Sequence, residues 1–138
     1  MHGKTEFSED ELCDLLTTSE SQQLGGGTTG TPTMNVVLEA PLCQWTDATS
    51  LNIVYSPKNG IKDLETGPTI KKSKIRIVGL DGVMSDNRKP GGLCQVGIDL
   101  TDHSSLVVGV GLLSAGEGKY DHCEVAKEMA TIVFTKVK

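Results

Sequence analysis

From Met34 onward, apolar residues recur at every second position in short runs, and this alternation restricts the fold more than any other feature. The runs are Met34, Val36 and Leu38; Leu51, Ile53 and Tyr55; Ile75 and Ile77 with Val78 and Leu80; Cys94 to Leu100; Leu106 to Leu112; and Ala130, Ile132 and Phe134. A period of two places one set of side chains on a single face of a strand. Turn formers separate the runs: Pro57 to Gly60, Thr66 to Pro68, Asp86 to Gly92, Asp102 to Ser105 and Ala115 to Gly118. Tyr120 to Met129 breaks the pattern, with Val125, Ala126 and Met129 at helical spacing. The spacing predicts a mainly β fold: a six-stranded sandwich or partly open barrel, with one short helix before the last strand. Aromatic residues make up only 4% of the 138, so Val, Ile and Leu must build the core. That suits a thin sheet packing better than a deep ligand cavity.

The N-terminus obeys different rules. Ser8 and Glu11 have the spacing of a capping box, and Phe7 and Leu12 that of a hydrophobic staple. They predict a helix over 8–18 carrying an apolar stripe of Leu12, Leu15 and Leu16. Residues 19–33 contain Gly25-Gly26-Gly27 and Thr28-Thr29-Gly30, which reads as a flexible linker. A phosphate-cradling loop there would need a lysine and a preceding strand. Residues 1–33 are therefore expected to form a detachable acidic arm and 34–138 the β domain. Phe7, Leu12, Leu15 and Leu16 are the candidate docking residues for a partner or a neighbouring subunit. Charge divides in the same way. Residues 1–50 hold one base against eight acids, and residues 51–138 hold twelve bases against ten acids.

Catalytic chemistry is sparse. Asp102-His103-Ser104 puts triad residue types side by side, but triads assemble in space and this stretch reads as a hairpin tip. Asp99 and Asp102 could do acid–base work, yet no aromatic-lined cleft is evident to hold a substrate. Cys43, Cys94, His103, His122 and Cys123 include no Cys-x-x-Cys pair, so no metal site or cofactor is expected. The four cysteines read as reduced, buried thiols. Residues 1–24 lack the apolar stretch of a secretory signal, and no run approaches the roughly 20 residues that span a bilayer. These features predict a soluble, non-secreted, cytoplasmic, non-enzymatic protein.

One concentration of positive charge remains. Lys71, Lys72, Lys74, Arg76, Arg88 and Lys89 oppose only Asp81 and Asp86 over 71–89. If Lys72, Lys74 and Arg76 alternate on a strand they share a face, available to a phosphate backbone or an acidic lipid surface. The plainer alternative is that lysines protect a sheet edge.

Two resemblances bear on this. Over 93–138, the acidic turn Asp99-Leu100-Thr101-Asp102-His103-Ser104-Ser105-Leu106, the turn Lys119-Tyr120-Asp121 and a final strand from Met129 to Val137 resemble the C-terminal part of rhabdovirus matrix proteins. Ile75 to Leu80, the turn from Asp86-Asn87 to Gly91-Gly92, and the strand ending in Asp99 and Asp102 resemble the core of thirty-kilodalton plant-virus movement proteins. The first resemblance implies a viral structural protein that self-associates and contacts nucleocapsid or membrane, in a virion or host cytoplasm. The second implies a domain that binds single-stranded nucleic acid.

Overall fold

The computed structural model describes residues 5–36, 39–63, 68, 70–87 and 92–137. Its elements are helix α1 (Glu9–Cys13), helix α2 (Thr18–Gln23), strands β1 (Thr31–Asn35), β2 (Ala40–Thr46), β3 (Thr49–Ser56), β4 (Ile70–Ile77), β5 (Leu80–Asn87), β6 (Cys94–Thr101) and β7 (Ser104–Leu112), and helix α3 (His122–Val137). Short 3₁₀ turns occupy Ile61–Asp63 and Ser114–Gly116. The strands form one sheet in the order β1-β2-β3-β7-β6-β5-β4, antiparallel at every junction. Two meanders, β1–β3 and β4–β7, thus meet where β3 pairs with β7.

The mainly β class agrees with the alternation, but seven strands stand where six are expected. Strand β2 (Ala40–Thr46) lies in no expected run, and Ile75 to Leu80, read as one run, is the hairpin of β4 and β5. Val78 and Gly79 turn the chain with φ of 46° and 83°, and Ile77 pairs with Leu80. Two positive φ values are what a tight two-residue hairpin needs. The last predicted strand is a correction. Ala130, Ile132 and Phe134 lie within α3, where Val125, Ala126, Met129, Ala130, Val133, Phe134 and Val137 are the buried residues. That 3.6-residue period accounts for seven side chains, Ala130 and Phe134 among them, while Ile132 is only partly buried beside them.

All helices described pack on one face. The sheet offers Trp45, Leu51, Ile53, Val96, Ile98, Leu106, Val108 and Val110 to them, and these join the helical side chains in one core. Register explains the layer: Trp45 pairs with Leu51, Leu51 with Val110, and Val96 with Val108.

The arm is the second correction. Phe7, Leu12, Leu16 and Leu24 are buried in that same core, and Leu15 packs against it. Phe7 meets the Tyr55 ring edge-on at 5.9 Å. The predicted capping box is present, with the Ser8 amide donating to Glu11 Oε1 at 3.0 Å. However, α1 ends at Cys13, and α2 starts on a second box of Thr17 and Glu20. The glycine run is not a free linker. Gly25, at φ 85°, lets the Gly26 amide donate back to the Ser21 carbonyl at 2.8 Å, a Schellman closure of α2. A Cβ on Gly26 would lie 2.6 Å from Leu51.

The third correction concerns the thiols. Cys13 pairs with Cys43 and Cys94 with Cys123, each with Cα atoms 5.2 Å apart. The first disulfide fastens the end of α1 to β2, and the second fastens β6 to the first turn of α3. Spacings of about thirty residues hide such pairs in a sequence, because only the folded sheet brings the partners together.

Candidate functional site

The sheet face opposite the helices carries the alternate side chains of the same strands. Across it runs the row Leu42, Val54, Val107, Gly97 and Val83, beside a second row of Gln44, Asn52, Gly109, Gln95 and Ser85. The loop from Pro57 to Asp63 crosses above part of this face. Its hold is specific: Ser105 Oγ donates to the Asn59 carbonyl at 2.7 Å, and the Ile61 amide donates to Asp99 Oδ1 at 2.9 Å. The Gly60 amide adds a bond to Asp63 Oδ2 at 3.2 Å.

Between loop and sheet lies a groove of about 370 Å³. Leu42, Val54 and Val107 give it an aliphatic floor, and Asn35, Asn59 and Gln95 bring amide side chains to it. No lysine, arginine, histidine or aromatic residue is among the described residues that line it. Gly109 shapes the adjoining surface, because a Cβ there would sit 2.7 Å from Asn52 Oδ1. The groove thus combines neutral donors and acceptors and the Asp63 carboxylate, which accepts from the Gly60 amide, with small apolar patches. Such a surface hydrogen-bonds amides and packs short aliphatic chains, and it offers an anion no formal positive charge.

A wider hollow of about 640 Å³ lies on the other side of the molecule, along Thr5, Glu6, Ser8, Glu11 and Pro57 beside Phe7 and Tyr55. Burial and the nearby Glu6 carboxylate raise the Tyr55 phenol above its usual pKa. It is therefore a neutral hydroxyl at ordinary pH, and the described residues lining the hollow include acids without a base.

The candidate residues from the sequence fall in three places. Lys71, Lys72, Lys74 and Arg76 lie on β4, an outermost strand. Lys72, Lys74 and Arg76 share the helix-free face, and Arg76 Nη1 is 3.0 Å from Asp81 Oδ1. Arg88 and Lys89 lie outside the described residues. Of the candidate docking residues, Phe7, Leu12 and Leu16 are buried in the chain's own core and Leu15 packs against it. His103 is exposed at the β6–β7 turn, while Ser104 Oγ is bonded to Thr101 Oγ1 at 2.6 Å.

Sequence reasoning weighed Cys94, His122 and Cys123 as ligands and set them aside, without Asp86; the structure brings the four into one cluster. Asp86 and Cys94 are cross-strand partners on the helix-facing side of β5 and β6. The start of α3 brings His122 and Cys123 onto them, with His122 Nε2 3.0 Å from Asp86 Oδ1. The carboxylate, imidazole and two sulfurs all lie within 4.8 Å of one another. Only His122 and Cys123 are neighbours in sequence, so no spacing rule could reveal the quartet.

Residues 4–136 match the family described as "Protein of unknown function (DUF3558)". The chain belongs to that family. No curated protein and no solved structure matches the chain. The family match spans the arm, both meanders and α3, so the segment read as a detachable appendage is part of the family's shared unit. No helix among the described residues is long and apolar enough to cross a membrane.

Proposed function

We propose that the chain is a non-catalytic binding module whose working surface is the groove on the helix-free face, and that its ligand is an uncharged, extended, peptide-like molecule. The observation that carries this reading is the groove's lining: Asn35, Asn59 and Gln95 over Leu42, Val54 and Val107. Its described lining supplies no nucleophile with a histidine base and no acid paired with a base, which supports binding over turnover. Two disulfides favour work in an oxidising compartment over the cytoplasmic location expected from the sequence.

The anionic-partner role implied by the viral resemblances is the second reading. Lys72, Lys74 and Arg76, aligned on one face of an edge strand, support it. The strand that the matrix resemblance places at Met129–Val137 is helical, which removes one of its supports.

Nuclear magnetic resonance separates the two. Titrating isotope-labelled chain with blocked Asn-, Ser- and Gly-containing oligopeptides should shift the Val54, Gln95 and Val107 amides saturably, and Gln95→Ala should weaken that response about ten-fold. The absence of any groove response to the peptides rejects the first reading. Shifts confined to Lys72, Lys74 and Arg76 on adding single-stranded RNA or anionic vesicles, with steep salt dependence, would establish the second in its place.

A further inference from the structure

The corner where α3 meets β5 and β6 carries chemistry that the groove does not use. Asp86 and Cys94 are buried, and His122 and Cys123 are half-buried above them. Two sulfurs, one imidazole nitrogen and one carboxylate oxygen are a donor set that suits a tetrahedral zinc-class dication. At metal–ligand distances of about 2.0–2.3 Å, ligand atoms in a tetrahedron stand roughly 3.3–3.8 Å apart. Here they already lie within 4.8 Å, so small side-chain movements suffice. The backbone frame is rigid, with Asp86 facing Cys94 across a ladder and His122 and Cys123 opening a helix capped by Asp121.

We propose that the Cys94–Cys123 disulfide and a bound dication are alternative occupants of this corner. In the disulfide form the sulfurs hold each other. A dithiol donor delivers two electrons and two protons, the S–S bond breaks, two thiols result, and the donor becomes a disulfide. A zinc-class ion then displaces both thiol protons to solvent. It forms two metal–sulfur bonds and takes His122 Nε2 and an Asp86 oxygen as its remaining ligands, with no change in its own oxidation state. Either occupant ties α3 to the sheet, so the helix stays anchored under oxidising and reducing conditions. This inference is independent of the groove.

The test uses the full chain with Co²⁺ as probe. Oxidised protein should bind no Co²⁺ at this corner. After reduction by a phosphine under nitrogen, one equivalent should give sulfur-to-cobalt charge-transfer absorption with tetrahedral ligand-field bands, and Zn²⁺ should bleach both. His122→Ala and Asp86→Asn should each weaken Co²⁺ binding ten-fold or more in the reduced chain, without altering the melting of the oxidised chain by more than a few degrees. If reduction unfolds the chain, Zn²⁺ should restore its circular dichroism, and failure to do so overturns the proposal. So does a reduced, folded chain without tetrahedral bands. Bands of equal strength in His122→Ala would point to thiols alone and reject the quartet.

Discussion

Glu20 shows how a surface acid becomes structural. Its carboxylate accepts the Thr17 amide at 2.9 Å, closing the α2 capping box, and takes the Lys136 ammonium at 2.5 Å. Partial burial opposes ionisation, but Lys136 and Thr17 outweigh it and hold the group below its ordinary value of 4.5. Because the folded chain lowers this pKa, the stabilisation is complete above the ordinary carboxylate range and is lost as pH falls through the folded value. Glu20→Gln should therefore lower the urea midpoint at pH 7, and the midpoint should then fall less between pH 7 and pH 3 than in the unmodified chain. Gly82 makes a steric counterpart. A Cβ there would lie 2.5 Å from the Gly97 carbonyl oxygen of the neighbouring strand, and backbone cannot rotate away. Gly82→Ala should cost about 1–3 kcal/mol, read as a reduced denaturation midpoint with an unchanged slope.

Among the elements, the N-terminal segment departs most from its sequence reading. The capping box at Ser8 and Glu11 was legible because it is local, and it is present as read. What covers Leu12, Leu15 and Leu16 was not legible, because an apolar stripe has the same pattern whether it meets its own sheet or another molecule's. Likewise, Gly25-Gly26-Gly27 has a linker's composition, while the close approach of Gly26 to Leu51 depends on a strand twenty-five residues away. Thr17 and Glu20 did carry a readable signal, since they repeat the Ser8–Glu11 spacing. In the other direction, α3 was half legible. Its first turns showed helical spacing, and its β-branched end imitated a strand. Phe7, Leu12, Leu16 and Leu24 each contribute roughly 2–3 kcal/mol by burial, together comparable with the whole stability of a domain of this size. Deleting residues 1–30 should consequently abolish cooperative urea unfolding rather than release an independent β domain. Lys136→Ala, which cuts the bonds to Leu15 and Glu20, should raise hydrogen exchange at Leu15 to Gln23 and leave β7 protected.

The molecule as a whole is a single antiparallel sheet with helices on one face and two covalent links from helix to sheet. The alternation made the sheet readable. Neither the disulfides nor the Asp86–His122 corner could be read, because each joins residues that only the completed register brings together. Each link closes a loop of about thirty residues, a span worth roughly 3–4 kcal/mol in the chain-entropy account. Replacing both Cys13 and Cys43 with Ala should lower stability by about that amount, measured by urea titration without reductant. Along the chain the pairing is consecutive, first cysteine with second and third with fourth. Three pairings are open to four cysteines. A polypeptide that meets its oxidant N-terminus first exposes Cys13 and Cys43 before Cys94 has emerged, and the later two then have only each other. For a chain oxidised in that order, correct connectivity would follow from the direction of travel alone, with no isomerase to correct it.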